Sequence, residues 1–482
     1  MDGAILHSRY CFTIIWSLSS FFCFIRLRRF SRVGAAASSL ILLIYAPFSI
    51  MALSYNSLGI ITLLLSTVIA ITANRFVRIQ YIISGLFFSA SVLCCPYLAT
   101  VYFLFSLIVL ISYIKKQMYT VNGRYTIGSL WLYTTFGIII SSVFFLIFVF
   151  SRITFNDLLR VFPLILDDPE HPKMSLITKS AEYFRAVFDR YFAVLFLCIS
   201  ISFAVGKIKR TLKPICFIIC IVLTSSYILF VCIQTMYLNF VMFPICLLGI
   251  YCTFNSDSKI IKKIFYFIYL PGIIYSFCLH LSSNQQIFAI SSASTVAAVA
   301  AAIIIFLYYK ELNFSYIEKE SILRLVSAIF VSYLFIIQIS AGLFLRYNNV
   351  FLEPGSVDAQ TVCINSGLEK GILVTKERAD IYNDSFTEMS IIKNTGYQKV
   401  LFLSENTWLY LLCEKEMATY SAWLSGVNDF SINRLDSYYE ICTDKKPDLI
   451  YVEARYSKYM QHFIAKGYKC DITTKGNYIL VK

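Results

Sequence analysis

The sequence has 482 residues, of which 58% are hydrophobic and 15% are charged. Soluble globular proteins are about 45–50% apolar and about 25% charged, so this composition excludes a wholly soluble protein and favours a membrane protein. The net charge of +14 would suggest nucleic-acid binding in a soluble protein. Here most basic residues lie in short loops between apolar runs, which is the pattern of membrane orientation, and we expect no nucleic-acid partner.

Apolar runs long enough to cross a bilayer recur from the N-terminus to about Leu345. The hydrocarbon core takes about 20 helical residues to cross, and the runs are continuous instead of alternating, which favours α-helices over a β-barrel. We therefore predict about twelve transmembrane helices. Their expected ranges are 8–26, 34–52, 57–73, 79–95, 97–114, 126–150, 190–206, 213–231, 236–254, 264–281, 286–308 and 325–345.

The loops between these runs alternate between basic and uncharged, which indicates the orientation of the chain. Basic loops include 26–32, 207–213 and 259–263, whereas 53–56 and 282–285 carry no basic residue. By the positive-inside rule, the N-terminus, the 151–189 loop and the C-terminal part lie outside the cytoplasm. The sequence thus predicts a multi-pass protein of the cell membrane.

The chain opens almost at once in an apolar run, and the charged region that begins a signal sequence is missing. An external N-terminus of this kind is unusual. We expect that an earlier helix and the loop after it are absent from this sequence. A true external N-terminus with a short tail is the alternative.

Segment 151–189 is the one long external loop of the apolar part. Two groups of apolar residues repeat in it at helical spacing, which predicts two amphipathic helices on the membrane surface that frame the mouth of a cavity. The first group is Phe155, Leu158, Leu159 and Phe162, and the second is Ile177, Ala181, Phe184 and Phe188.

Composition changes after Arg346, where charged residues become frequent and apolar runs shorten. Strand-like runs at 371–375, 399–405 and 448–454 alternate with helical stretches, and a hairpin closes the chain. Such alternation is typical of an α/β domain with a mostly parallel sheet. The predicted architecture is a transmembrane helical bundle over 1–346 and an extracytoplasmic α/β domain over 347–482.

The strongest candidate site is the run LDDPEHPK between the two amphipathic helices. Carboxylates of Asp167, Asp168 and Glu170 could bind a divalent metal ion or act as a general base. His171 could orient a phosphate or move a proton, and Lys173 adds a positive charge. The alternative is a solvated turn, because Asp and Pro are favoured in turns for backbone reasons.

Two further candidates lie close to the expected external surface. Tyr55 and Asn56 place polar groups in a short gap between apolar runs, where a lipid head group could bind. Arg9 lies near the interface and could contact a phosphate. An ordinary helix-ending Asn and an Arg that only extends toward water are the alternatives.

Several short stretches carry a family resemblance. They are DGAILHSRY, ALSYNSLGI, LILDDPEHP, TYSAWLS and KPDLIYVEA, and they span most of the chain. Together with the layout, they resemble the GT-C superfold of integral-membrane glycosyltransferases. The chain is similar in particular to bacterial relatives of protein O-mannosyltransferases and aminoarabinose transferases.

The resemblance implies transfer of a sugar from a polyprenyl-phosphate carrier to a glycan or protein acceptor of the cell envelope, on the outer face of the membrane. It implies that Arg9, Lys173 and His171 serve the phosphate, while Asp167, Asp168 or Glu170 hold a metal ion or the acceptor. These enzymes carry their principal catalytic carboxylate in the first external loop, which would precede residue 1 here. Asp2 is a poor substitute, so no position inherits that role and we expect little turnover from the chain as written.

Two other functions stay open on the sequence. One is a non-catalytic membrane protein, either a pseudoenzyme or a partner subunit in envelope polysaccharide assembly. The other is a polysaccharide flippase or polymerase. A flippase should carry basic residues inside the bundle, whereas the Arg and Lys residues here lie in loops. Membrane helices free of acidic residues also argue against an ion-coupled transporter.

Overall fold

A computed structural model describes the chain except for residues 1, 47–49, 118, 167–174, 189, 236–241, 284–285, 315–319, 349, 351–354, 423, 425–426 and 473–475. The described residues form two compact units. The helical unit combines residues of Ser8–Ile147 and Met174–Leu352, and the sheet unit combines residues of Met1–His7, Phe148–Lys173 and Glu353–Lys482. Besides the predicted C-terminal domain, the sheet unit therefore takes in two segments that we had predicted as part of the bundle.

Helices dominate the chain up to Asn348. Their bounds are α1 (Ala4–Leu27), α2 (Arg32–Ile44), α3 (Tyr55–Thr72), α4 (Val77–Cys94), α5 (Ala99–Ile114), α6 (Ile127–Phe150), α7 (Phe155–Leu166), α8 (Leu176–Val187), α9 (Arg190–Ile208), α10 (Lys213–Thr235), α11 (Met242–Asn255), α12 (Lys259–Ile264), α13 (Leu270–Leu281), α14 (Gln286–Ala293), α15 (Thr295–Glu311) and α16 (Glu320–Asn348). A short hairpin of β1 (Thr120–Asn122) and β2 (Tyr125–Thr126) precedes α6.

Nine helical stretches in the described part of the chain are long and apolar enough to cross a membrane. They are Ala4–Leu27, Tyr55–Thr72, Val77–Cys94, Pro96–Ile114, Ile127–Phe150, Tyr191–Ile208, Arg210–Phe230, Lys259–Leu281 and Glu320–Asn348. Helices α2 and α11 are apolar but shorter. The prediction of a multi-pass helical chain agrees with this arrangement. Of the predicted helices, 34–52 and 236–254 correspond to shorter helices, and 264–281 and 286–308 are interrupted in the described part of the chain.

The interruptions follow from local chemistry. Helix α2 stops at Ile44 and Tyr45 is extended, since Pro47 two residues later disfavours helical backbone before it. Helices α14 and α15 meet at Ser294, whose hydroxyl donates to the carbonyl of Ile290 at 2.7 Å and shares that oxygen with its own backbone N–H at 3.1 Å. Such sharing often bends a helix. A π-helical turn at Phe265–Tyr269 joins α12 to α13, next to Pro271, which has no backbone N–H to donate.

Helix α15 forms the centre of the helical unit. Residues Val296 to Ile305 are fully buried. Neighbouring segments approach it at glycines: an added Cβ at Gly272 would lie 2.5 Å from the backbone N of Ala297, and one at Gly249 would lie 2.6 Å from the Cβ of Ala301. Small residues at both sides of these contacts let the helix backbones come close, which is the usual way apolar helices gain packing energy in lipid.

The predicted amphipathic helices are present as α7 and α8. Helix α8 packs on α13 and α14 in the helical unit, and α7 contacts α19 (Asp429–Ile441) in the sheet unit. The buried side of α8 carries Lys179, Tyr183 and Val187. Its apolar Ile177 and Phe184 are 82% and 59% exposed, so this predicted apolar stripe is turned away from the protein, as expected for contact with lipid.

The sheet unit is built on a five-stranded sheet. Its remaining elements are β3 (Val362–Cys363), β4 (Leu373–Val374), α17 (Lys376–Lys393), β5 (Lys399–Leu403), α18 (Leu409–Cys413), β6 (Glu416–Met417), β7 (Leu449–Val452), α20 (Met460–Ile464), β8 (Lys469–Ile472) and β9 (Tyr478–Val481). The strand order is β6-β5-β7-β9-β8, with β5 parallel to β6 and β7, and β9 antiparallel to β7 and β8. The predicted closing hairpin is thus present.

Strand β5 explains why this sheet forms. Its residues are almost continuously apolar, which suits a strand covered on both faces. Val400 and Phe402 pack against residues of α17 and α18, whereas Leu401 and Leu403 pack against residues of α19 and α20. The alternation of side chains along a strand therefore fills two separate cores.

One predicted strand lies elsewhere. Residues 371–375 were expected in the main sheet, but β4 pairs antiparallel with β3 in a separate two-stranded sheet. The short run can form only two ladder positions, Val362 with Val374 and Cys363 with Leu373. The first residues of the chain join this region, because the backbone N of Gly3 donates to the carbonyl of Gly367 at 2.8 Å.

Candidate functional site

The loop site predicted from the sequence is not among the residues that the structure describes. Asp167, Asp168, Glu170, His171 and Lys173 all lie outside the described residues. No group of three or more His, Cys, Asp or Glu residues in the described part is arranged to hold a metal ion.

The other predicted site residues lie on the helical unit. Arg9 is on the exposed side of α1, and its guanidinium makes no ion pair with any residue that the structure describes. Tyr55 begins α3 and is 59% exposed, while Asn56 is half-buried beside it. The N-cap of α3 is Ser54, which forms a capping box with Ser57, so neither Tyr55 nor Asn56 is needed to start the helix.

A groove opens at the end of the helical unit where α2 and α16 end. Its wall is mainly apolar, with one amide side chain. The lining residues are Ile41, Ile44, Tyr45, Met242, Gln338, Ile339 and Gly342. The space it encloses is about 10 Å³, which is room for one water molecule, so it is an apolar crevice and not an open channel.

Gln338 is the polar group inside the groove. Its side chain is 4% exposed, and its amide nitrogen lies 3.8 Å from the sulfur of Met242. Its Oε1 has no hydrogen-bond partner among the described residues. A buried amide oxygen without a partner is costly unless a ligand or water donates to it.

Arg346 lies at the rim of the groove. It follows Gln338 by eight residues on α16, which is about 12 Å along the helix axis. Its guanidinium donates to the carbonyl oxygen of Ile44 at 2.8 Å and approaches the sulfur of Met51 at 2.7 Å. Within the described parts of the chain, no carboxylate pairs with it. A fixed cation thus marks the rim of an apolar groove.

A second polar cluster joins α8 to the end of α13. The Tyr183 hydroxyl lies 2.9 Å from the Ser276 hydroxyl, and the His280 Nε2 lies 3.0 Å from the carbonyl oxygen of Lys179. Lys179 pairs with Glu182 at 3.8 Å. Burial raises the pKa of the Tyr183 phenol, which therefore stays neutral and holds the loop helix on the bundle by hydrogen bonding. The cluster anchors α8, the helix that follows the predicted LDDPEHPK site in the sequence.

The two clusters lie at the same end of the helical unit. Tyr275 of α13 precedes His280 by five residues and lies near Tyr45 of the groove. Tyr275 also packs on Gly59 in the first turns of α3, where an added Cβ would meet its hydroxyl. Polar groups on or next to α2, α8, α13 and α16 therefore lie around one end of an apolar bundle.

The sheet unit has a polar network of its own at the carboxyl ends of β5 and β7. Open α/β sheets bind ligands at this kind of position, where successive strand connections go to opposite sides. Here the groups bind one another: Ser404 and Asn406 donate to the carboxylate of Glu453, and the Tyr456 hydroxyl donates to Glu405 at 2.6 Å. Burial and the Glu405 hydrogen bond raise the pKa of Tyr456 to about 12. The network stabilises the loops that follow β5 and β7.

Gln338 and Arg346 were not predicted from the sequence as site residues. A signal was present, because an amide in the middle of a 29-residue apolar helix is unusual in lipid. The groove itself needs α2, α11 and α16 together, which no local pattern reveals.

The chain matches no protein-family model, and no curated protein or solved structure is significantly similar to it.

Proposed function

We propose that this chain is a membrane-embedded glycosyltransferase that takes a sugar from a polyprenyl-phosphate carrier, acting on an envelope acceptor at the outer face of the membrane. The observation that carries the proposal is the groove between α2, α11 and α16. Its apolar wall suits contact with an isoprenoid chain, which would have to part α2 and α16 because the groove now has room for about one water molecule. Arg346 at its rim suits a phosphate. The amphipathic helices α7 and α8 and the loop resemblance support the same function.

In this proposal the acceptor oxygen bonds to the anomeric carbon while its proton passes to a general base, for which Asp167, Asp168 and Glu170 are the candidates in this chain. The carrier phosphate leaves with the electrons of the broken bond. Arg346 neutralises the charge that develops on the leaving phosphate, which is the largest electrostatic demand of the reaction. The side-chain amide of Gln338 forms a hydrogen bond with a polar group of the donor inside the groove. The loop carboxylates Asp167, Asp168 and Glu170 are the candidates for holding the acceptor or a metal ion.

The first experiment measures binding of the lipid donor, separately from transfer of the sugar. Purified full chain is titrated with polyprenyl phosphate, and binding is followed by native mass spectrometry. Arg346→Gln is expected to weaken binding about 10- to 100-fold, since a charge-assisted hydrogen bond contributes about 1.5–3 kcal/mol. Arg346→Lys should retain part of the affinity, because it keeps the charge but loses the planar fork.

The matched control is Arg324→Gln, at the opposite end of the same helix, where Arg324 is exposed and pairs with Glu320 at 2.8 Å. It should bind like the unaltered chain. Equal binding by all variants would remove the groove from the proposal. Donor binding without transfer of sugar from any of polyprenyl-phosphate mannose, glucose or arabinose would favour the non-catalytic alternative, a partner subunit or pseudoenzyme.

The proposal also places the sheet unit outside the cytoplasm. A reporter active only after export, such as alkaline phosphatase, is fused after Lys482. We expect an active fusion, because the basic loops alternate through an even number of predicted helices. A fusion of a cytoplasm-dependent fluorescent protein at the same position serves as control, and fluorescence from it would reverse the orientation.

A further inference from the structure

The end of the helical unit opposite the groove is organised around the last residues of α3. Helix termini leave carbonyl oxygens without partners inside the helix. Here side chains satisfy three consecutive ones: Asn122 donates to Ala70 at 2.7 Å, Arg29 donates to Ile71, and both Arg26 and Arg29 donate to Thr72. Two guanidinium groups therefore meet at one carbonyl oxygen, at 3.1 and 2.7 Å.

A third cation joins this cluster through the β1–β2 hairpin. Lys263 Nζ donates to the side-chain oxygen of Asn122 at 2.9 Å and to the carbonyl oxygen of Val121. Asn122 also caps α3, so it links Lys263 to the helix end that both arginines bind. Lys263 and Arg29 are close enough to interact electrostatically. We call Arg26, Arg29 and Lys263 the cation cluster.

The cation cluster has more positive charge than its surroundings neutralise. Its hydrogen-bond acceptors are carbonyl, hydroxyl and amide oxygens, all of them neutral. The C-terminal end of a helix dipole is equivalent to about half a negative charge, against the three basic side chains of the cluster. In the described part of the chain no carboxylate pairs with any of the three. Burial lowers the pKa of Arg29, and the nearby charge of Arg26 lowers it further.

The position of the cluster indicates which anion completes it. Apolar helices α1 and α3 end here, while α2, α4 and α12 begin here. All of them therefore reach the level at which apolar helices give way to polar loops. The rings of Phe22 and Phe30 lie 5.7 and 4.9 Å from the two guanidinium groups, so the site has an apolar side as well as a charged one. A phosphate carried on an acyl chain matches both sides.

We propose that Arg26, Arg29 and Lys263 bind the phosphate of an anionic phospholipid head group. Each guanidinium has five N–H donors, of which Arg26 uses three and Arg29 two in the contacts described above, so donors of both remain for phosphate oxygens. Lys263 adds a point charge from the neighbouring helix. The bound phosphate holds α3, the β1–β2 hairpin and α12 together at this end of the bundle. This site is independent of the groove and of the glycosyl-transfer proposal.

The test uses delipidated full chain in detergent, titrated with phosphatidylglycerol, phosphatidylcholine or inorganic phosphate. Phosphatidylglycerol is expected to raise the unfolding temperature, and phosphatidylcholine at the same concentration is not. Lys263→Gln should weaken phosphatidylglycerol binding about tenfold, in the range of a lost charge-assisted hydrogen bond. Added salt should weaken binding by the unaltered chain more than by this variant.

Arg28→Gln is the matched control, because Arg28 adjoins the cluster in sequence, is exposed and forms none of its contacts. It should bind phosphatidylglycerol normally. Lys263→Gln leaves both arginine caps of α3 in place, so a folded variant is expected even if Arg29→Gln unfolds. Equal stabilisation by phosphatidylcholine, or unchanged phosphatidylglycerol binding in Lys263→Gln, would overturn the proposal. Inorganic phosphate that binds as tightly as phosphatidylglycerol would assign the site to a soluble anion instead of a lipid.

Discussion

Replacing Gly249 by alanine is expected to destabilise the helical unit by about 1–3 kcal/mol, the usual cost of forcing extra volume into a packed core. The added Cβ would lie 2.6 Å from the Cβ and 3.1 Å from the Cα of Ala301 in α15. Both helices are buried there, and Tyr269 closes the third side at 3.4 Å, so neither backbone can move freely. The unfolding temperature of purified protein measures the change.

Two further variants separate the effect of this close contact from the general effect of replacing a helical glycine by alanine. Gly206→Ala in α9 is the control, because its Cβ would meet nothing nearer than 3.6 Å and alanine favours helix. It should be neutral or slightly stabilising. The double change Gly249→Ala with Ala301→Gly moves the methyl group from one helix to the other and should recover much of the lost stability. No recovery would show that the Cβ contact is not the cause.

Tyr451→Phe is expected to destabilise the sheet unit by about 1–3 kcal/mol, since it removes a hydrogen bond from a buried carboxylate. The Tyr451 hydroxyl donates to Glu388 at 2.7 Å, and the side chains are 3% and 5% exposed. Asn477 donates to both groups, at 2.8 Å to the Tyr451 oxygen and 3.0 Å to Glu388. Pulse proteolysis of the full chain in urea measures the free energy of unfolding of this unit.

Tyr478→Phe is the matched control, because Tyr478 lies on the neighbouring strand, is half-buried, and its hydroxyl makes no hydrogen bond to any described residue. It should cost less than about 0.5 kcal/mol. Burial, and then the bond to Glu388, raise the pKa of Tyr451 above the value of about 10 for an unfolded tyrosine. A raised folded pKa contributes stability that is complete below pH 10 and is lost as the pH rises further, so the difference from Tyr451→Phe should shrink above about pH 10. A difference that grows there would contradict the assignment.

Much of the architecture follows from local patterns. Apolar runs of about 20 residues place α1, α3, α4, α6 and α9 within a few residues of their predicted ends, because length and composition alone decide which segments suit a bilayer core. The periodic spacing of Phe155 to Phe162 predicts α7, and the apolar runs at 399–405 and 448–454 predict β5 and β7. The candidate loop residues Asp167, Asp168, Glu170, His171 and Lys173 lie outside the described residues and stay a prediction.

The tertiary structure decided the rest, since it depends on residues that lie far apart in the chain. Strand β4 was predicted for the main sheet, but a strand's partner is chosen by the shape of the whole unit and β3 pairs with it instead. Gly249 is an ordinary helical glycine until α15 approaches it. Arg26, Arg29 and Lys263 read as separate basic loop residues, and only the end of α3 brings them to one place. Arg346 likewise marks the end of an apolar run in sequence, and it becomes the rim of a groove because α2 ends beside it. Length and periodicity are local properties of a chain, whereas close approach and charge balance belong to surfaces that exist only after folding.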